Sequence, residues 1–300
     1  MRRGTTMTHT RRDEPQFYNI LELDWRPGNE LPAVHRLDRR VLNRDEAKPS
    51  ATLMVRIPPS WRSLHSSVDG TLEVFVLQGG LSLDGERVGV SGFLSIPEGA
   101  GDVDLRSEQG AQALFYWTLG MPIEPDAAVR VAKVWQMDWE VQRMTNMPHG
   151  TIAKSLRLPD VGDGPVHGGP GGMLRLILLE PGYCDPQEHK HNCWEGLVFL
   201  AGDLFMPPRG IIGPMTYLGN PAEFRHAPMA SQRGSLVLVQ TDEPVIQPPR
   251  LYDGGQQMCN GYRDTASWLE QPRHTCWDSL PDYRAAGEGV EWSDLTRLPS

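Results

Sequence analysis

The chain has 300 residues, a formal net charge of −9, 31 glycines, 26 prolines, nine histidines and four cysteines. That length suits two ordinary domains, and the acidic balance argues against a nucleic-acid partner, which would need a basic surface. Cys184, Cys193, Cys259 and Cys276 include no C-x-x-C pair, which points away from a disulfide scaffold or zinc knuckle and toward reduced thiols in a cytoplasm.

Residues 1–16 are polar and unpatterned, so a disordered tail is expected there; the charged start is followed by no apolar core and does not read as a secretory signal. No apolar run is long enough to span a membrane. From residue 17 onward the chain is turn-rich with little helical periodicity, which predicts an all-β fold.

One order of features occurs twice. E-L-D-W ending at Trp25 is echoed by Q-M-D-W ending at Trp139, and A-T-L-M-V-R-I-P-P ending at Pro59 by M-L-R-L-I-L-L-E-P ending at Pro181. E-V-F-V-L-Q-G-G from Glu73 matches E-G-L-V-F-L-A-G from Glu195, 122 positions on, and the segments around Pro97 and Pro221 match 124 positions apart. Such nearly constant spacing is the mark of an internal duplication. A linker is expected near residues 120–126, where proline and acidic residues break the strand pattern. The glycine-rich stretch 161–172, which holds His167, has no G-K-[ST] and no following helix, so it reads as a flexible connection rather than a phosphate loop.

The second half gathers metal-ligand types. His189 and His191 are two apart and on an extended strand share a face, and Glu195 continues that row at even spacing. His226 lies after the Asn220-Pro221 corner. Imidazole and carboxylate suit a first-row divalent ion, and this four-ligand set leaves coordination positions open. If the odd-numbered residues of 189–199 face inward, Cys193, Leu197 and Phe199 line an apolar pocket below the ion. Arg175 is either an exposed residue on a strand edge or an inward cation that holds an acidic substrate group; Tyr217 and Gln240 on later strands are further substrate-binding candidates. In the first half the shifted positions hold Ser67, Asp69 and Asp102, with Glu73 as the surviving ligand. That half is expected to be structural, the alternative being an oxygen-rich site of His65, Asp69, Glu73 and Asp102.

At His189, His191, Glu195 and Gly202 the sequence resembles the first motif of the cupin superfamily, with the leading glycine one place early at Gly182. Pro221 and His226 meet the second motif, although Glu223 stands where its glycine is expected and no asparagine follows. The wording around His226 resembles the subgroup typified by the anti-sigma factor ChrR, which also includes dioxygenases that cleave diketones and hydroxyacetophenones. The resemblance implies two tandem double-stranded β-helix (jelly-roll) barrels: an N-terminal barrel over 17–122 with a degenerate site, a C-terminal barrel over 123–250 with the metal, and an irregular extension over 251–300. Trp268, Trp277 and Trp292 in that extension are expected to pack on a barrel or on a second subunit of a homodimer.

The functional expectation is an enzyme with one divalent transition metal per chain, Fe(II) first and Mn, Ni or Zn behind it. It would oxidise or cleave a small oxygenated molecule with dioxygen, with Glu195 as ligand and proton carrier. The alternatives are a redox-silent isomerase, cyclase or hydrolase, and a non-catalytic ChrR-like regulator.

Overall fold

In this computed structural model the described residues are 11–28, 36–63, 69–121, 128–141, 151–157, 166–167, 169, 171–207, 209–226 and 228–246. The expected C-terminal extension, residues 1–10, His65 and most of the expected linker lie outside them. The first half carries β1 (Gln16–Asn19), β2 (Arg26–Pro27), β3 (Asp38–Asp45), β4 (Ser50–Ile57), β5 (Trp61–Arg62), β6 (Thr71–Gly79), β7 (Leu81–Leu83), β8 (Glu86–Val88), β9 (Gly92–Ile96), β10 (Leu105–Ser107) and β11 (Ala111–Thr118). The second carries β12 (Arg130–Lys133), β13 (Glu140–Val141), β14 (Thr151–Ser155), β15 (Val166–His167), β16 (Leu174–Leu179), β17 (Cys184–Asp185), β18 (Glu195–Gly202), β19 (Leu204–Met206), β20 (Gly210–Ile212), β21 (Thr216–Asn220), β22 (Met229–Ala230), β23 (Ser235–Thr241) and β24 (Val245–Ile246). Among the described residues no helix is long and apolar enough to cross a membrane.

The two halves repeat one topology. A large antiparallel sheet of order β12-β9-β6-β11-β4-β3-β2 is matched, strand for strand, by β1-β21-β18-β23-β16-β14-β13. The small sheet β5-β10-β7-β8 is matched by β17-β22-β19-β20. In each barrel the small sheet closes over the inner face of the large one: Leu81, Leu83 and Val88 pack with Leu53, Val55 and Phe115, and Leu204, Met206 and Ile212 pack with Phe199, Leu218 and Val237. The outer faces of the large sheets meet back to back, where Met54, Phe75, Leu77 and Leu114 pack with Leu176, Leu178, Val198 and Leu238. Strands covered on both faces have no solvated side to keep polar, which is why L-R-L-I-L-L and E-V-F-V-L read as almost unbroken apolar runs.

The ends of the sheets are exchanged. β1, from the first half, pairs with β21 of the second barrel, and β12, from the second half, pairs with β9 of the first. Each of these arms continues into a 3-10 turn, Ile20–Glu22 or Val134–Gln136, and then into the repeated tryptophan. The turn is held the same way in both halves. Arg40 donates to the carbonyls of Leu21 and Leu23 and lies 4.3 Å from the Trp25 ring centroid. Lys154 donates to the carbonyls of Val134 and Trp135 and lies 4.4 Å from the Trp139 ring centroid. The paired E-L-D-W and Q-M-D-W segments are thus clamps for crossing arms, in which an aromatic face and free carbonyls share one cation. Each large sheet thus takes its edge strand from the other side of the boundary expected at 122/123.

Three sequence expectations change. Residues 11–16 of the expected tail belong to the fold: Arg12 is buried, with its guanidinium 3.9 Å from the Trp194 ring centroid, and Gln16 pairs with Gly219. Within the glycine-rich stretch, Val166 and His167 are tied to Ile246 and Val245 by the pairing of β15 with β24. Gly172, at φ 83°, lies so close to Thr241 that a Cβ would sit 2.2 Å from its carbonyl oxygen, so only glycine fits. Of His167 only the backbone is described. Third, the repeat is out of register by one at its most informative strand. Leu72 faces Ile96 and Trp117 across its ladders, and Glu195 faces Asn220 and Thr241. Leu72 therefore occupies the place of Glu195, and Glu73 points to the opposite face, because a one-residue slip in a strand exchanges its two sides.

Candidate metal centre

Glu195 opens β18 on the inner face of the second barrel, but His189 and His191 precede that strand instead of lying on it. What brings the histidines together is a short antiparallel bridge: the N–H of His189 donates to the His226 carbonyl at 3.1 Å, and the N–H of His226 donates to the His189 carbonyl at 3.0 Å. The N–H of Glu223 donates to the His191 carbonyl at 2.7 Å and ties down the third segment. Glu223 takes φ 64°, the left-handed conformation that the expected glycine would supply, so the turn into His226 keeps its shape despite the substitution.

The three rings converge, with centroids 4.4 Å apart for His189 and His226, 4.9 Å for His191 and His226, and 5.1 Å for His189 and His191. One ligand nitrogen from each lies within 4.8 Å of the others. Glu195 completes the group: Oε1 is 3.7 Å from His191 Nε2 and Oε2 is 3.6 Å from His226 Nε2. Those gaps are too long for hydrogen bonds. Nitrogen and oxygen ligands about 2.1 Å from a common first-row ion stand roughly 3–3.5 Å from each other, close to the separations here.

The donor chemistry fits an ion as well. His226 Nδ1 lies 3.0 Å from the Phe224 carbonyl, which makes Nδ1 the protonated nitrogen and leaves the Nε2 lone pair facing Glu195. His189 Nδ1 is held in the same sense by the Gln187 carbonyl at 3.4 Å. His191 Nδ1 is buried without a hydrogen-bond partner. Burial, the largest effect, lowers the His191 pKa; Glu195 opposes it and His226 adds to it, and the net result favours the neutral imidazole that a metal needs. Asn220, at the end of β21, donates from Nδ2 to Glu195 Oε2 at 3.1 Å and fixes that carboxylate from behind. A histidine group able to hold a metal is therefore present, with Glu195 beside it.

The inner wall below it is apolar. Leu197 and Phe199 face inward with Ile177, Val237 and Val239, and Cys193 packs in the same cluster, where burial pushes its thiol pKa up and disfavours the thiolate. Arg175 is buried on the inward face of β16, which it shares with Ile177 and Leu179, so the inward alternative is the one the fold adopts. Tyr217 and Gln240 lie elsewhere. Tyr217 packs between the barrels, stacked on Tyr18 at 5.3 Å, and Gln240 accepts a hydrogen bond at 2.9 Å from Thr52 of the first barrel. Their strand parity turns them to the outer face of the large sheet.

The first barrel has no counterpart among the described residues. Asp69 and Asp102 are exposed, Leu72 fills the place of Glu195, and Glu73 is bound to Arg157 of the second half. Its interior is packed with Leu53, Val55, Leu72, Val74 and Phe115. Sequence reasoning passed over Asn220 and Arg209. Asn220 was legible as the residue before the Pro221 corner, whereas Arg209, in the turn between β19 and β20, carries no signal of its own.

No family model matches the chain, and no curated protein matches it in sequence. Its fold is similar to that of a candidate dioxygenase from Nostoc punctiforme, with a TM-score of 0.62 at 17% identity over 77% of this chain and 83% of that one. It is also similar to a candidate glyoxylate-induced protein from Pseudomonas aeruginosa, with a TM-score of 0.59 at 16% identity over 79% and 91% of the two chains. A third similar structure is the pirin YhhW from Escherichia coli in complex with nickel(II), with a TM-score of 0.51 at 14% identity over 77% and 100%. At such identities the likeness is one of fold, and by fold this chain is a tandem pair of cupin-type β-barrels with a histidine centre in the second.

Proposed function

We propose that the chain is a metal-dependent enzyme that binds one divalent transition ion, iron(II), through His189, His191, Glu195 and His226, and catalyses the oxygen-dependent oxidation or cleavage of a small oxygenated organic molecule. The observation that carries this reading is the convergence of three imidazoles and one carboxylate at the top of an apolar barrel interior. A bound redox-active ion supplies dioxygen activation; a redox-silent one would supply only Lewis-acid polarisation.

The protein's own groups divide the remaining work. Leu197, Phe199, Ile177 and Val239 exclude water from the space below the centre, which strengthens electrostatic interactions there and protects reactive species. Glu195, held at Oε2 by Asn220, is placed to take a proton from an enol or hydroxy-ketone substrate and return it. Arg175 sets positive charge on the inner wall and favours substrates that carry a negative one. His189, the most open of the three ligands, marks the side from which substrate arrives.

The test is oxygen uptake and product formation by iron-loaded protein with a panel of small diketones, hydroxy-ketones and oxo- and hydroxy-acid anions, aerobically and under strict anoxia. The expected result is turnover that requires both iron and dioxygen. Turnover that persists without dioxygen, or runs equally well with zinc, would move the protein to the isomerase, cyclase or hydrolase reading. Metal uptake with no turnover at all would favour a ChrR-like regulatory role.

A further inference from the structure

Arg209 projects from the turn between β19 and β20 toward the carboxylate side of the metal centre. One terminal nitrogen, Nη2, reaches Asn220 Oδ1 at a long 3.4 Å, and the same Asn220 amide donates to Glu195. The other, Nη1, is buried and has no hydrogen-bond partner. No carboxylate among the described residues lies within ion-pair distance of this guanidinium. Its place is set by two aromatic rings, with Phe17 at 5.6 Å and Phe224 at 5.5 Å from Cζ to the ring centroid. Phe224 belongs to the turn that carries His226, and Phe17 belongs to β1, the arm that crosses from the first half.

A guanidinium stays charged in proteins, and a buried N–H without an acceptor is unfavourable, so a fork kept half satisfied beside a metal centre needs a reason. Burial lowers its basicity and the nearby Glu195 opposes that, which leaves a cation screened poorly by solvent. The ligand that matches a planar fork with a free nitrogen is a carboxylate. A phosphate dianion is disfavoured, because its larger charge would stand one amide away from Glu195.

We propose that Arg209 is a specificity-determining residue that receives a carboxylate of the substrate, so that this site acts on a small organic acid anion and not on a neutral ketone. The proposal rests on the metal-centre reading above, which it narrows to a substrate class.

Two probes with the same oxygen spacing separate charge recognition from metal chelation: malonate and acetylacetone, titrated calorimetrically into zinc-loaded full-length protein. Arg209→Gln should weaken malonate about tenfold or more, as expected for loss of a charge-assisted pair, while acetylacetone affinity and zinc content stay within about twofold. Arg209→Lys should retain part of the malonate affinity, since it keeps the charge without the fork. Unchanged malonate affinity in Arg209→Gln overturns the proposal. Equal losses for both probes overturn it too, and make Arg209 a positioning residue that acts through Asn220. Wild-type protein that loads zinc but ignores malonate sinks the Arg209 proposal alone. Wild-type protein that takes up no zinc sinks the metal-centre reading instead, and malonate titration of the metal-free protein then decides Arg209: a loss in Arg209→Gln supports it, and no loss or no binding overturns it.

Discussion

Glu73 and Arg157 form a buried ion pair between the two halves of the chain, and replacing Glu73 with alanine should show what it contributes. Arg157 Nη2 approaches Glu73 Oε2 at 2.6 Å, and Nε reaches Oε1 and Oε2 at 3.0 and 3.2 Å. The two side chains are only 7% and 2% exposed, so solvent and salt screen the pair little. Deleting the carboxylate strands a buried cation whose remaining acceptors are the carbonyls of Gly171 at 2.5 Å and Thr241 at 3.3 Å. Loss of one partner from a buried pair costs about 3–5 kcal/mol, and Glu73→Gln, which keeps an oxygen acceptor, should cost less. The double change Glu73→Leu with Arg157→Met should recover much of the loss, because it removes both charges together. Urea unfolding followed by tryptophan fluorescence measures the difference, with metal content determined alongside. A Glu73→Ala protein within about 1 kcal/mol of wild type would refute the account of this pair. A fall in metal content without a change in stability would return Glu73 to a ligand role in the first barrel.

Metal content gives a second prediction: His191→Ala or His226→Ala should reduce it sharply, while Asp69→Ala and Asp102→Ala leave it nearly unaltered, as read by elemental analysis of protein purified without chelators. The opposite pattern would place the ion in the first barrel. A third concerns Lys154, whose pKa burial pulls down from 10.5 to about 8. The folded state then holds fewer protons than the unfolded chain between those values, so the group's contribution to stability should rise with pH across that window. Thermal unfolding at steps from pH 8 to 10 should show this slope in wild type and its loss in Lys154→Met; equal slopes in the two proteins would refute the assignment.

Much of the architecture was legible in the chain because two kinds of signal agreed. Apolar runs bounded by turn residues marked strands, and recurrence at nearly constant spacing marked duplication. What failed was a matter of one residue. The glutamates of E-V-F-V-L-Q-G-G and E-G-L-V-F-L-A-G invite alignment at 122, yet the ladders set the step at 123, matching Gly79 to Gly202, both at positive φ. A run that is apolar on both faces carries no alternation to expose such a slip. The same ambiguity left the side of Arg175 open and placed Tyr217 and Gln240 in the pocket when they face the other barrel. The histidine group was found although the strand expected to carry His189 and His191 does not exist there, because ligand identity survives an error in local structure. Arg209 was beyond reach, since its relation to Glu195 exists only through Asn220 and two rings from distant segments.

The exchanged arms govern the order in which the chain can assemble. During synthesis β1 emerges first, but the strand it pairs with, β21, follows about 200 residues later, and β9 must wait for β12. Until the second half is made, the first barrel has an open sheet edge and an uncovered apolar back, the conditions under which nascent β proteins associate wrongly. A gene cut between the repeats would leave each product with a strand that belongs to the other and lacking one of its own. The two fragments should therefore be insoluble apart and regain structure only when expressed together. The same interlock gives the first barrel a structural task whatever else it does, since it lends the second an edge strand and a wall.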